Sequence, residues 1–173
     1  MVEVTVARLG LDSSTQSYVV ILQEKGGQRL LPIWIGQPEA ESIVMQMHNV
    51  KRVRPLTHDL CKSLILGMGG TLQRVHITRV EKNTYFAELH ISRKDASDMV
   101  QVDARPSDSI AIALRLSAPI YAAESLLSDV QIEESAESFE LEAPPPTAAE
   151  LNAEQLKEYL ERLRPEDFGK FNL

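Results

Sequence analysis

The sequence predicts an α+β fold, in which helices pack against a mainly antiparallel sheet. Short segments of alternating apolar and polar residues, separated by turn sequences, are typical of strands joined by hairpins. Three other segments begin with residues that favour a helix N-terminus and continue with apolar residues at helical spacing. Several neighbouring strands are linked by turns of only a few residues, which favours antiparallel pairing.

The N-terminal segment predicts an antiparallel meander of three strands. Residues 2–9 alternate apolar and polar side chains, and residues 18–22 and 29–35 are rich in apolar residues. A Gly-Gly pair supplies the hairpin turn between the second and third strands. Pro32 has no amide proton to donate, so its strand is expected at an edge of the sheet or at a bulge.

Two helices are predicted after the meander. Pro38 begins the first, and we interpret Glu39 and Glu41 as surface acids at its positive end, with Glu39 also considered as a side chain that reaches a site. The apolar side chains of this helix are expected to face the core, at Ala40, Ile43, Val44 and Met47. Thr57 is predicted to cap a second helix, which a run of glycines closes.

The second half of the body is predicted to supply four more strands. Residues 71–80 and 85–92 are expected to form a hairpin. Residues 100–103 alternate as a strand that leads into a third helix, and residues 119–122 form a short last strand.

The corner that leads into the third helix carries the densest ionic and capping chemistry of the chain. Pro106 and Ser107 favour a helix start, with Ser107 as the N-cap and Asp108 at the positive end of the helix dipole. Asp103 and Arg105 lie at this strand-to-helix corner, where loops often carry functional residues. A structural ion pair between Asp103 and Arg105 is the favoured interpretation, and a catalytic pair is the alternative.

Composition limits the class of protein. The 173 residues are enough for one domain with a core and an appendage. A single cysteine, Cys61, excludes an internal disulfide, and no apolar run approaches the roughly 20 residues that cross a bilayer. We therefore expect a soluble, cytoplasmic protein with no membrane association.

Charge divides the chain into a nearly neutral body and an acidic tail. Residues 1–128 carry 14 Lys and Arg against 13 Asp and Glu, whereas residues 129–173 carry 4 against 12. The predicted organisation is a body at 1–128, an acidic, proline-rich linker at 129–147 and a helical segment at 148–173. The acidic tail is expected to contact either a basic partner or the body.

A basic run and a histidine define a candidate phosphate site. Residues 51–54 are the only dense basic run in the body, and His58 and Asp59 follow in the first turn of the second helix, beside exposed amides that favour an anion. In the functional interpretation, His58 transfers protons near neutral pH. In the alternative, Asp59 only balances the helix dipole and His58 is an exposed surface residue.

Three segments in fixed order carry a resemblance to a known family: LPIWIG at residues 31–36, followed by Glu39 and Ala40, RPLTHDL at residues 54–60 and VDARPSDSIA at residues 102–111. The chain strongly resembles the bifunctional nuclease domain family, except in the acidic linker and the terminal helix. The resemblance implies a compact α+β domain that forms homo-oligomers, with a dimer favoured. It also implies a nuclease that hydrolyses phosphodiester bonds of DNA and RNA without strong sequence specificity.

The resemblance implies positions for the site, and the chemistry of phosphodiester hydrolysis suggests their roles. Carboxylates suit Mg²⁺ or Mn²⁺, arginines suit phosphate oxygens, and a histidine suits proton transfer. The expected catalytic residues are His58, Asp59, Asp103 and Arg105. The expected substrate-binding residues are Arg54, Thr57 and Ser107. The expected metal ligands are Asp103 and Asp108.

A non-catalytic binding or scaffolding domain is the second function that the sequence leaves open. The body is only weakly basic, and it has few aromatic residues that stack on bases. In this interpretation the capped corners serve the fold, while the acidic tail recruits a basic partner or masks the basic run.

Overall fold

A computed structural model describes residues 1–12, 17–51, 53–93, 96–129 and 137–138. The described residues all lie within one compact unit, Met1–Glu140. The predicted helical segment at 148–173 and most of the predicted linker at 129–147 lie outside the described residues. The boundaries of these two segments therefore stay a prediction.

The described chain is an α+β structure, as predicted. Its helices are α1 (Gln37–Met47), α2 (Thr57–Gly67) and α3 (Pro106–Leu116). Its strands are β1 (Val2–Asp12), β2 (Ser17–Glu24), β3 (Leu30–Ile35), β4 (Gly70–Glu81), β5 (Thr84–Arg93), β6 (Ala96–Ala104), β7 (Ile120–Ala122) and β8 (Glu137–Ser138). A 3₁₀ turn, Glu124–Leu126, follows β7.

The strands form one mainly antiparallel sheet in the order β3-β2-β1-β7-β4-β5-β6, and β8 pairs with β1. The first meander, β1 to β3, and the hairpin of β4 and β5 are antiparallel, as predicted. Strand β6 pairs antiparallel with β5 and completes a second meander. Strand β7 lies between the two meanders. It pairs antiparallel with residues 2–4 of β1 and parallel with residues 75–77 of β4. Three residues thus join the two halves of the sheet.

Turn chemistry explains the connections within each meander. Gly26, between β2 and β3, has a φ of 80°, which favours glycine. Lys82 and Asn83, between β4 and β5, have φ values of 47° and 62°. Positive φ at both central positions is typical of the type I′ turn, whose twist matches that of the strands. Pro32 lies on β3 at one end of the sheet order, so its predicted edge position is confirmed.

The helices form a layer on the sheet, with α3 in contact with both α1 and α2 and with β4 and β5. Ala111 and Ala113 of α3 are fully buried, and their small side chains allow neighbouring elements to approach closely. Ile110 of α3 and Val75 and Ile77 of β4 are also fully buried. Burial of each aliphatic side chain of this size stabilises the fold by about 1.5–3 kcal/mol. The packing of α3 against β4 is therefore a major source of stability.

Two helices leave apolar side chains in solvent. Met47 was expected in the core but is 37% exposed because it lies at the end of α1, whereas Ser42 of the same helix is buried. Helix α2 buries none of its residues, and Leu60 and Leu64 are each more than half exposed.

In the described part of the chain, no helix is long and apolar enough to span a membrane.

The start of α3 differs by one residue from the prediction. The helix begins at Pro106 with Arg105 as its N-cap residue, so Ser107 lies inside the first turn and is not the cap. The fixed φ of proline suits the first helical position, which explains the earlier start. Helix α2 likewise begins at Thr57, and the residue before it, Leu56, is the N-cap.

A histidine cluster lies on the face of β4 opposite its core residues. The ring centroids of His76 on β4 and His90 on β5 are 4.2 Å apart, and Tyr121 of β7 meets His76 edge-on at 5.7 Å. Burial lowers the pKa of His76, and the nearby charges of His90 and Arg74 lower it further. Folding therefore favours the neutral form of His76.

We predict that acidification destabilises the domain through His76. Because the folded chain has a lower pKa for His76 than the value of about 6.5 in the unfolded chain, this contribution to stability is complete above about pH 6.5 and declines below it. Urea unfolding at about pH 7.5 and about pH 5.5 measures the loss, which His76→Gln should reduce. His48, which is exposed, provides the control. The same pH dependence in His76→Gln and His48→Gln would contradict the prediction.

Candidate active site

Residues of α1 and the first turns of α2 and α3 line one cavity of about 490 Å³, which we name the His58 cavity. Its lining comes from α1, from α2 with its N-cap, and from α3 with its N-cap: Pro38, Glu39, Glu41, Ser42, Met45, Leu56, Thr57, His58, Arg105 and Asp108. Helix N-termini present unpaired amides and partial positive charge. The charged side chains of the lining are Arg105 and three carboxylates, Glu39, Glu41 and Asp108, of which Glu39 and Asp108 pair with Arg105.

His58 is held at the cavity by two hydrogen bonds. Its Nε2 donates to Asp108 Oδ1 at 3.0 Å, because a carboxylate only accepts. In the neutral ring, Nδ1 is then the acceptor, and Ser42 Oγ donates to it at 2.7 Å. The His58 side chain is 13% exposed, so it is not the surface residue of the alternative interpretation. Serine, histidine and aspartate thus form one hydrogen-bonded chain from three helices.

Asp108 is also paired with Arg105. Arg105 Nε donates to Asp108 Oδ2 at 2.8 Å, and a second guanidinium nitrogen donates to Oδ1 at 3.1 Å. Burial alone would raise the pKa of Asp108, but the hydrogen bonds from Arg105 and His58 outweigh it and lower the pKa below its ordinary value. Glu39 of α1 forms an ion pair with the same guanidinium at 2.8 Å. Asp108 is therefore ionised at neutral pH and fixes both the arginine and the histidine.

Asp59 faces away from this cavity toward a buried arginine. Arg115 Nε of α3 donates to Asp59 Oδ1 at 2.6 Å, and the amide of Leu56 donates to Asp59 Oδ2 at 2.9 Å. Burial would raise the pKa of Asp59, yet these two hydrogen bonds and the charge of Arg115 lower it. Arg115 also donates to the carbonyls of Ser42 and Ala111. This network connects α1, α2 and α3.

A second cavity, which we name the basic cavity, lies beside the first. Lys51, Arg54, Asp59 and Arg115 contribute to its lining. It shares the side chains of Met45 and Leu56 with the His58 cavity. The predicted basic run therefore lies next to the predicted histidine corner.

Comparison with known proteins relates this architecture to a family. A profile of the bifunctional nuclease domain matches residues 20–135. That range includes all three motifs and every residue that lines the His58 cavity. The chain belongs to the bifunctional nuclease domain family.

Relatives of this bifunctional nuclease domain occur in bacteria and plants. An uncharacterized protein of Mycobacterium tuberculosis strain H37Rv is 40% identical over 168 residues, which cover 97% of this chain and 98% of that protein. Bifunctional nuclease 2 of Arabidopsis thaliana is 37% identical over 105 residues, which cover 60% of this chain and 32% of that protein. Bifunctional nuclease 1 of Oryza sativa subsp. japonica is 27% identical over 110 residues, which cover 63% of this chain and 33% of that protein. The similarity thus extends over about a third of each of these plant proteins.

The fold of this bifunctional nuclease domain brings most of the predicted site residues to two adjoining cavities. Those that line the His58 cavity are Thr57, His58, Arg105 and Asp108. Those that line the basic cavity are Arg54 and Asp59. Ser107 is buried in the first turn of α3 and contributes to the lining of a third cavity. Histidine and arginine from corners far apart in sequence therefore share one carboxylate, Asp108.

Asp103 lies apart from these residues. It is exposed on β6, opposite Glu88 of β5, and it is outside the lining of the His58 cavity. The predicted ion pair between Asp103 and Arg105 is wrong, because Arg105 pairs with Asp108 and Glu39 instead. A catalytic role of Asp103 stays a prediction.

Of the predicted metal ligands, Asp108 lines the His58 cavity and Asp103 does not. Among the described residues, no group of three His, Cys, Asp or Glu side chains is arranged to hold a metal ion. Both oxygens of Asp108 already accept hydrogen bonds, and Asp103 lies outside the cavity. We therefore assign no step of a reaction to Mg²⁺ or Mn²⁺.

Sequence reasoning missed Ser42 and Arg115. Both are polar residues inside apolar helical segments, with Ser42 followed by Ile43 and Val44 and Arg115 between two leucines. A buried polar residue needs partners, so a polar residue on an apolar helix face is the signal that would have found them. Glu39, which was considered as a side chain that reaches a site, lines the cavity.

We predict that Asp59→Ala destabilises the fold by about 2–4 kcal/mol. The change leaves Arg115 buried without its carboxylate, a loss of about 3–5 kcal/mol for a fully buried pair that is smaller here because Asp59 is partly exposed. Urea unfolding measures the difference. The control is Glu81→Ala, which removes an exposed ion pair with Arg79 and should cost less than about 1 kcal/mol. Equal losses in the two variants would show that the Asp59 pair has no special structural role.

Proposed function

We propose that this domain is a nuclease that hydrolyses phosphodiester bonds of DNA and RNA without strong sequence specificity. The observation that carries the proposal is the hydrogen bond between His58 Nε2 and Asp108 Oδ1, inside a cavity lined by α1 and by the N-terminal turns of α2 and α3. A histidine oriented by a carboxylate suits proton transfer, and helix N-termini suit a phosphate. The plant relatives named bifunctional nuclease support the same reaction.

Arg105 is the proposed phosphate ligand. Its guanidinium has five N–H donors, and Asp108 and Glu39 engage three of them. The other donors remain for phosphate oxygens, and the side chain is 65% exposed. The two carboxylates hold the guanidinium in place before a substrate binds. Arg105 is therefore preorganised to stabilise the charge that develops on the phosphate.

His58 is the proposed acid and base, and Ser42 connects it to the cavity. Because Asp108 accepts from Nε2, the accepting nitrogen Nδ1 faces the Ser42 hydroxyl. The hydroxyl takes the proton of an attacking water and passes its own proton to Nδ1. Asp108 stabilises the imidazolium that results, as a carboxylate does in serine hydrolases. The leaving oxygen takes a proton from solvent, and the imidazolium returns its proton to solvent after the reaction.

Basic side chains beside the cavity suit the neighbouring phosphates of a nucleic acid. Lys51 and Arg54 line the basic cavity, which adjoins the His58 cavity. Contacts with phosphates fix the position of the strand but carry no information on its base sequence. The low sequence specificity in the proposal follows from this kind of contact.

A domain that binds nucleic acid without cleaving it is the second candidate. Both ring nitrogens of His58 and both carboxylate oxygens of Asp108 already have partners within the protein. A network closed in this way also suits a purely structural corner. The two candidates differ in one measurable property, which is cleavage that depends on His58.

We predict that His58→Ala lowers the rate of phosphodiester cleavage by at least about tenfold, because a positioned acid–base group typically contributes about 10²–10⁴-fold. The rates are measured on labelled single-stranded and duplex oligonucleotides of DNA and RNA. His48→Ala is the matched control, since His48 is an exposed histidine at the end of α1 and should not affect the rate.

Binding and cleavage together separate the candidates. Wild-type protein that binds the oligonucleotides but cleaves them no faster than buffer would establish the non-catalytic function. Equal cleavage by wild type and His58→Ala would remove His58 from the mechanism and indicate a contaminating nuclease.

The expected Mg²⁺ or Mn²⁺ at Asp103 and Asp108 stays a prediction, and metal removal tests it. It requires that EDTA abolishes cleavage, that either ion restores it, and that Asp103→Asn prevents the restoration. Cleavage that is unchanged in EDTA would contradict it. The expected homo-oligomer, the partner of the acidic tail and the cytoplasmic location stay predictions as well.

A further inference from the structure

A third cavity adjoins the His58 cavity on the side of Arg105. We name it the aromatic cavity, because Trp34 and Tyr85 contribute to its lining together with Asn83. It shares Glu39 and Arg105 with the His58 cavity. The proposed phosphate ligand therefore stands between a catalytic cavity and an aromatic one.

Trp34 presents a large aromatic surface to this cavity. It is 54% exposed, although tryptophan is usually well buried in folded proteins. Its neighbour on β3, Ile33, is buried, and the alternation of the strand directs Trp34 to the other face. The indole Nε1 donates a long hydrogen bond to Asp12 Oδ2 at 3.4 Å. The ring is therefore open to solvent beside the cavity.

Tyr85 supplies a second ring from a rigid element. It lies at the start of β5, pairs with Val80 of β4 and follows the tight turn at Lys82 and Asn83. The amide of Asn83, in the same lining, offers both donors and an acceptor. The cavity therefore combines aromatic faces with polar groups that suit the edge of a heterocyclic base.

We propose that the aromatic cavity binds an unpaired nucleobase, so that the preferred substrate is single-stranded nucleic acid. The inference rests on the proposed nuclease function. Stacking on aromatic side chains tolerates every base, in keeping with low sequence specificity. A base within a duplex is stacked between its neighbours and reaches a side-chain cavity only after it is extruded. With a base in the aromatic cavity, Arg105 holds an adjoining phosphate at the His58 cavity.

The fluorescence of Trp34 tests the proposal directly, because Trp34 is the only tryptophan of the chain. The full-length His58→Ala variant is titrated with an oligodeoxythymidine and with a duplex of the same length. We expect the single strand to quench the fluorescence and to bind about tenfold more tightly than the duplex. Equal affinity for both, or no quenching at saturation, would overturn the proposal. If the His58→Ala variant does not fold, the wild-type protein is titrated with phosphorothioate strands instead.

Two substitutions locate the bound base. Trp34→Ala and Tyr85→Ala are each expected to weaken the Kd for the single strand about tenfold, measured by the anisotropy of a labelled oligonucleotide. Phe86→Leu is the control, because Phe86 lies outside the aromatic lining and stacks with Arg79 at 4.0 Å. Circular dichroism verifies that each variant is folded. A loss in Phe86→Leu as large as in Trp34→Ala would contradict a base site at this cavity.

The two proposals fail in different ways. Cleavage that depends on His58 but proceeds equally on single strands and duplexes, without quenching of Trp34, overturns the single-strand inference and leaves the nuclease in place. Quenching of Trp34 by single strands together with no cleavage by the wild type overturns the nuclease and leaves a domain that binds unpaired bases.

Discussion

A buried arginine holds the helices in the arrangement on which the site depends. Arg115 of α3 is 3% exposed, and it donates to Asp59 of α2, to the carbonyl of Ser42 on α1 and to Ala111 of its own helix. A buried guanidinium needs such acceptors, because loss of its hydration is costly. The same helices carry the site on their other side, where the Ser42 hydroxyl contacts His58. Ser42 therefore contacts the buried arginine through its carbonyl and His58 through its hydroxyl.

Most of the fold was predictable because its strands and turns depend on neighbouring residues. Pro32 cannot donate to a sheet partner and lies on the edge strand, and Gly26 adopts the positive φ that its turn requires. The place of β7 was not predictable in this way. Its pairing joins residues 120–122 to segments about 45 and 118 residues earlier in the chain, and no local pattern encodes such a partner.

The site was predictable only in part, for a related reason. His58, Arg105 and Asp108 were identified from their positions at helix starts, where phosphate chemistry is expected. Ser42 was not, because its role comes from a contact between helices and not from its own segment. Asp103 was expected to pair with Arg105 because the two are close in sequence. In the structure Arg105 pairs with Asp108, and Asp103 lies on β6 opposite Glu88. The motifs therefore identified the region of the site, whereas contacts between helices determine which residues form it.

The central position of β7 has a consequence for synthesis of the protein. Until residues 120–122 leave the ribosome, residues 2–4 and 75–77 lack the strand that pairs with both of them in the finished sheet. Each meander then has an open edge, and open edges are the sites at which nascent chains associate with one another. Without residues 120–122, the helix layer still contacts both meanders, but no pairing among the described strands joins them. Release of this short segment is therefore required before the two meanders can close into a continuous sheet.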